Sequence, residues 1–237
     1  MITLRTITTI ELSNACSLAC PYCVNRLMHK HGREYGIMDE ATFDRSLYWL
    51  QMLCDLGTQA EVNLNGNGES LLDPDLPARI RRVKDIMGER RVCMCTNGTH
   101  MTYEMACKIR DAGLDQCDLS PHSPFHARQA AIAMMKAQLT GIINMGSIVM
   151  SHNWAGQLEE HNSIDMVFTT RCDPLIEGRG YIQREGGVSP CCYDYRGLGQ
   201  YGTVFDDDLL ERPIKAYSLC KTCHQIIPEE IREEVEA

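Results

Sequence analysis

The sequence predicts an α/β fold: a partial (β/α) TIM-like barrel followed by a small C-terminal cysteine-rich module. Short apolar runs alternate with helical-period stretches over roughly the first 150 residues, the pattern of βα units. No fixed-period repeat accompanies the alternation, so an open or partial barrel is expected. From Cys172 onward the chain is instead rich in Gly, Pro, Asp and Cys.

The elements follow in order. A short apolar stretch, Thr9-Ile10-Glu11-Leu12, precedes the first cysteines. Asp39 is placed to cap a helix from about Glu40, in which Phe43, Leu47, Leu50 and Cys54 recur at helical spacing up to Gly57. Residues 60–64 read as a strand, Leu76 to Met87 as a helix stopped by Gly88, and 92–95 as the next strand. A helix from about Tyr103 to Ala112 stops at Gly113, and residues 117–119 form a short strand. An Ala-rich helix is expected from Ala127 to Leu139, then strands over 142–150 and 163–170. Residues 228–237 read as a terminal helix or a frayed tail. The expected division is 1–151 for the barrel core, 152–171 for its last strand and junction, and 172–237 for the appended module.

Lys and Arg total 23 against 32 Asp and Glu, for a formal charge of −9, which argues against non-specific nucleic-acid binding. The N-terminus lacks the pattern of a secretory signal, and no apolar run approaches the roughly 20 residues that span a bilayer. A cytoplasmic protein with no membrane partner is expected. Its 13 cysteines then point to metal or redox use rather than disulfides.

Cys16, Cys20 and Cys23 form a Cys-x3-Cys-x2-Cys run. Thiolates suit iron–sulfur chemistry, and three at this spacing can hold three irons of a four-iron cluster, leaving one iron open. Asn65 to Glu69, Thr96-Asn97-Gly98 and Ser120 to His122 also fall at strand C-terminal ends, where ligand groups gather in barrels.

The run Cys16-Ser17-Leu18-Ala19-Cys20-Pro21-Tyr22-Cys23 resembles the signature of the radical S-adenosylmethionine superfamily, with Tyr22 as the aromatic residue before the last cysteine. That resemblance implies a four-iron cluster whose free iron chelates S-adenosylmethionine. Cleavage of the sulfonium then gives a 5′-deoxyadenosyl radical that abstracts a substrate hydrogen atom. Asn65-Gly66-Asn67-Gly68-Glu69-Ser70 is similar to the family's glycine-glycine-glutamate stretch, with Ser70 where Pro is usual. Gly68 would let backbone approach the methionine amino group, and Glu69 would accept from it. Asn97, Ser120 and Arg128 occupy positions resembling other cofactor-binding residues, Arg128 suited to a carboxylate.

The later cysteines resemble the SPASM and twitch auxiliary modules. Cys172, thirteen residues, Gly186, four residues, Cys191 and then Cys220-Lys221-Thr222-Cys223 match the shorter twitch arrangement. This implies a second four-iron cluster held by Cys172, Cys191, Cys220 and Cys223. A structural zinc is the competing reading, and Cys192 competes with Cys191 as ligand. In outline the chain is most similar to the 2-deoxy-scyllo-inosamine dehydrogenase group of the superfamily.

The resemblance implies two-electron oxidation of a polar small molecule, such as an amino sugar or cyclitol, with a flavodoxin or ferredoxin as electron donor. Radical modification of a short ribosomally made peptide is one alternative, and a non-enzymatic iron–sulfur electron carrier is another. His122 is the candidate proton acceptor, with a satisfied loop histidine as its structural reading. His126, His152, Trp154 and Arg171 are candidate substrate contacts. Trp154 equally suits packing at the junction. Cys54, Cys93, Cys95, Cys107 and Cys117 read as core side chains, with Cys93 and Cys95 facing the same way.

Overall fold

A computed structural model describes residues 1–120, 122, 124–142, 154–155, 157–158 and 172–223. The strands are β1 (Thr6–Ile10), β2 (Glu61–Asn63), β3 (Arg91–Thr96), β4 (Gln116–Leu119), β5 (Arg179–Ile182), β6 (Gly187–Ser189) and β7 (Gly202–Thr203). The helices are α1 (Glu40–Asp55), α2 (Leu76–Met87), α3 (Tyr103–Asp111), α4 (Pro124–Lys136) and the single-turn α5 (Asp173–Ile176). One sheet runs in the order β4-β3-β2-β1-β5-β6-β7. Strands β4 to β5 are parallel, and β5-β6-β7 turn antiparallel.

Helix α1 starts where Asp39 accepts from the Thr42 amide at 2.8 Å, satisfying a donor that the first turn leaves without a partner. Its expected stripe, Phe43, Leu47, Leu50 and Cys54, is buried in the main core, as is Leu53. Each large apolar side chain so buried contributes roughly 1.5–3 kcal/mol. Helix α2 has the expected bounds and ends at Gly88, whose φ of 58° suits a residue without Cβ. Helix α4 is shifted toward the N-terminus relative to its Ala-rich sequence, because Pro124 fits a first turn that needs no amide donor.

In β3, Val92 and Met94 enter the core. Alternation puts Cys93 and Cys95 on the opposite face, as expected, with Asp118 of β4 beside Cys95. The first strand includes Thr6 to Thr8, ahead of the apolar stretch legible in the sequence. Strand β5 follows the cysteine-rich boundary at residue 172 and pairs in parallel with β1, Thr6 opposite Arg179 and Ile10 opposite Ile182. The barrel sheet and the C-terminal segment therefore share one continuous ladder. Helix α1 is also fastened to that segment: the Trp49 indole donates to the Val204 carbonyl at 2.8 Å.

The strands expected over 142–150 and 163–170 and the end of the chain at 228–237 lie outside the described residues, apart from Ile142. No described helix is long and apolar enough to cross a membrane.

Candidate active site

The C-terminal ends of β1 to β4 open onto a cavity of about 330 Å³. Cys16, Cys20 and Cys23 line it from the loop after β1, Gly68 and Glu69 from the loop after β2, Asn97 from that after β3, and Ser120 and His122 from that after β4. Four separate loops thus bring the expected groups to one place. Trp154 also lines the cavity, its indole donating to the Tyr22 carbonyl at 3.1 Å. It packs beside the cluster of Val24, Met28, Leu158 and Tyr195, so it faces the cavity and packs the junction at once.

Local hydrogen bonds shape the thiol loop. The Leu18 amide and the Asn97 carboxamide approach the Cys16 sulfur at 3.5 and 3.6 Å, and the Asn25 amide approaches Cys23 at 3.4 Å. Asn97 therefore touches a candidate ligand sulfur directly. Burial raises the Cys16 thiol above its ordinary value and pushes Cys23 up to about 11. These thiols stay protonated near neutrality until a cation displaces the proton. No three described His, Cys, Asp or Glu side chains converge on a single metal ion. All three thiols line the one cavity, and a cluster takes each thiolate on a separate iron.

Gly68 is also required by the chain's own backbone. A Cβ there would stand 2.4 Å from the Ser13 carbonyl and 2.6 Å from that of Ala15, so the backbone that approaches it is the chain's own. The Glu69 amide donates to the Ala15 carbonyl at 2.8 Å, joining this loop to the start of the cysteine run. The Glu69 carboxylate accepts from Leu71 N at 3.1 Å, Thr96 Oγ1 at 2.9 Å and Asn97 N at 2.8 Å. Its two oxygens have about four acceptor positions, so one remains, on Oε2. Burial raises its pKa despite these donors.

His122 Nδ1 lies 2.5 Å from the Tyr22 hydroxyl. Desolvation lowers the His122 pKa, and burial pushes Tyr22 up to about 12. Cys95, read from sequence as a core thiol, lines the cavity, whereas Cys54 and Cys117 are in the core. Arg128 is exposed on α4 and does not line the cavity, and neither does His126, whose buried Nδ1 has no hydrogen-bond partner among the described residues. Both sit on the helix that follows the Ser120 loop rather than in the loop itself. His152 and Arg171 lie outside the described residues.

A second, smaller cavity of about 20 Å³ is bordered by Cys172, Cys191, Cys220 and Cys223, with Leu175, Leu219, Tyr217 and Ala155 completing its wall. Cys191, not Cys192, faces it, in keeping with the glycine spacing. Burial raises Cys172 and pushes Cys220 up to about 11. Four thiols in an apolar wall form a donor set suited to a fully ligated cluster.

The sequence reading missed Glu11, Arg33 and Tyr181, which meet behind the 65–69 loop. The Glu11 carboxylate is fully buried and accepts from Arg33 Nη2 at 2.5 Å and Tyr181 OH at 2.8 Å. A lone acid inside the apolar run Thr9 to Leu12 was the available signal.

The radical SAM superfamily profile matches residues 10–137, more than half of the chain and including the whole thiol-lined cavity except Trp154. The chain belongs to the radical SAM superfamily. Two curated relatives each match about half of this radical SAM chain. A probable GTP 3′,8-cyclase of Sulfolobus acidocaldarius is 36% identical over 114 residues, covering 48% of this chain and 33% of that protein. A GTP 3′,8-cyclase of Parasynechococcus marenigrum is 31% identical over 119 residues, covering 47% and 32%. The chain thus spans about a third of the length of these relatives. The fold is also that of BtrN. The crystal structure of BtrN with AdoMet and 2-DOIA has a TM-score of 0.66 at 19% identity, covering 87% of this chain and 82% of that one. BtrN in an open conformation has a TM-score of 0.61 at 17% identity, covering 97% of both chains. The likeness extends through the C-terminal cysteine-containing segment, as expected for a partial barrel with a SPASM/twitch-type module.

Proposed function

We propose that this chain oxidises a polar small molecule, such as an amino sugar or cyclitol, by two electrons. In this reading Cys16, Cys20 and Cys23 hold one four-iron cluster, and Cys172, Cys191, Cys220 and Cys223 hold a second. When bound, the first cluster and S-adenosylmethionine supply the 5′-deoxyadenosyl radical that takes a hydrogen atom from substrate.

The chain's own residues have distinct tasks. Asn97 and the Leu18 amide donate to the Cys16 sulfur and stabilise its thiolate. The remaining acceptor capacity of Glu69 would meet the cofactor's amino group, and Ser120, on the same cavity wall, would meet its ribose. His122 would take the proton released as a carbon–oxygen or carbon–nitrogen double bond forms, and the second cluster, held by Cys172, Cys191, Cys220 and Cys223, would supply the acceptor for the one electron released with it. In the tautomer whose Nδ1–H donates to the Tyr22 oxygen, Nε2 is the free acceptor. Trp154 holds the thiol loop through the Tyr22 carbonyl. A flavodoxin or ferredoxin would supply the reducing electron.

The observation that carries this reading is the convergence of three thiols, the Gly68-Glu69 loop and His122 on one cavity. Asn65, Thr96 and Ser120 on its wall offer hydrogen-bonding groups beside the apolar surface of Leu18 and Trp154. Likeness in fold to BtrN, crystallised with AdoMet and 2-DOIA, is in keeping with this class. The test is anaerobic reconstitution with iron and sulfide, followed by incubation with S-adenosylmethionine, dithionite and a panel of amino sugars and cyclitols. 5′-Deoxyadenosine should accumulate with an equal amount of a carbonyl or imine product. Its formation without a two-electron oxidised product would overturn the reading.

A further inference from the structure

Glu11 is a fully buried carboxylate directly after β1, and it receives hydrogen bonds from three separate parts of the chain. Oε1 accepts from the Asn67 amide at 3.0 Å and from the Tyr181 hydroxyl of β5 at 2.8 Å. Oε2 accepts from Arg33 Nη2 at 2.5 Å and from the Arg184 amide at 3.0 Å. The Asn67 carboxamide also donates to the Tyr181 oxygen at 2.9 Å. Gly66 closes over this group: a Cβ there would lie 2.4 Å from Glu11 Cγ and 2.6 Å from the Tyr181 oxygen. The 65–69 loop is therefore moulded on Glu11 and Tyr181.

The same contacts lead toward the C-terminal thiols. Arg33 also donates to the Tyr195 carbonyl at 3.0 Å and to Glu185 at 2.6 Å. Gln183 Nε2, one residue before Arg184, donates to the Asp194 carbonyl at 2.6 Å, and the Asp194 amide donates to the Cys191 carbonyl at 3.1 Å. A buried carboxylate must be fully supplied with donors, because any lost partner leaves a desolvated charge. The two segments that supply its donors cannot shift independently.

We propose that Glu11 is a positioning residue that sets the 65–69 loop from the C-terminal segment, so that the loop's grip on the cofactor depends on the segment bearing Cys191. This rests on the reading above that Gly68 and Glu69 meet the methionine end of S-adenosylmethionine. Glu11→Gln replaces one acceptor oxygen by an amide group that faces donors and removes the charge opposite Arg33. Tyr181→Phe deletes a single hydroxyl and serves as the milder variant should Glu11→Gln fold poorly.

Two measurements test the proposal on reconstituted, unreduced protein. In equilibrium dialysis with S-adenosylmethionine, Glu11→Gln should raise Kd about tenfold and Tyr181→Phe about threefold, with the iron content of wild type. By hydrogen–deuterium exchange, amides in 65–69 and in 181–185 should speed up together in either variant, while those of α2 keep their wild-type rates. Kd unchanged from wild type, or faster exchange in only one segment, would overturn the proposal. Failure of the wild-type protein itself to bind S-adenosylmethionine would strike the functional reading, whereas exchange would still decide whether Glu11 joins the two segments.

Discussion

The Tyr22 hydroxyl and His122 Nδ1 stand 2.5 Å apart, which links the residue before the last cysteine of the triplet to the loop that follows β4. Desolvation holds His122 below the ordinary histidine range, so its neutral, proton-accepting form persists as pH falls through about 6.5. The acid limb of the turnover profile should therefore have its midpoint below 6.5. His122→Gln should abolish that limb and lower turnover on the order of 10²-fold, as measured by product formation across pH. The unfolded chain takes up this proton more readily, so acidification through the same window also lowers stability.

Gly66→Ala tests the packing behind the loop. Its new methyl group would meet Glu11 and the Tyr181 hydroxyl, both buried and hydrogen-bonded to each other. Overpacking of this kind costs roughly 1–3 kcal/mol, which urea denaturation would read as a lower midpoint. Gly32→Ala is the contrast, because nothing lies within 4 Å of its added Cβ and only the positive φ of 80° opposes the change. Its smaller loss would separate close contact from backbone strain.

The two sets of thiols should be separable by iron counting. The Cys16/Cys20/Cys23 triple-alanine variant should retain about four irons of roughly eight in the wild type, and Cys220→Ala with Cys223→Ala should leave about four at the other site. Iron and sulfide analysis with electron paramagnetic resonance reads both. One zinc per chain at the C-terminal site would replace the second cluster by a structural ion.

Acidification should also loosen two contacts that depend on carboxylates. The Thr42 amide holds Asp39 below its usual range. Burial raises Glu185, but hydrogen bonding and charge from Arg33 outweigh it and leave a net lowering. Both contributions are present above the ordinary carboxylate range and are lost as pH falls through the lowered values. Asp39→Ala should cost about 1 kcal/mol at neutral pH, and the difference should shrink in denaturation curves recorded near pH 3.

The sequence showed helices whose signals are local. Asp39, the 43–47–50–54 stripe and Gly88 each act within a turn or two of the element they define. The thiol triplet and the strand-end loops were legible for the same reason, since spacing alone places them together. Strands β5 to β7 were not legible: they are two to four residues long, glycine-bearing, and stabilised by pairing with distant chain. That Gly68 also admits the backbone of residues 13–15 was not legible, because the fold and not local spacing sets that contact. Glu11 was visible as an acid in an apolar run, but its partners lie up to 173 positions away. The place of Arg128, exposed on α4 and not among the residues lining the cavity, was not legible from its likeness to a family position.

The parallel pairing of β1 with β5 imposes an order on biosynthesis. Thr6 leaves the ribosome 173 residues before its partner Arg179. At about 5–20 residues per second, that interval is roughly 9–35 s. Throughout it, one margin of β1 lacks its neighbour, and Glu11 waits for the tyrosine and the Arg184 amide that complete its shell. The nascent triplet is thus translated well ahead of the strand that finishes its support, so a delivery system acting during translation would meet a half-built cradle.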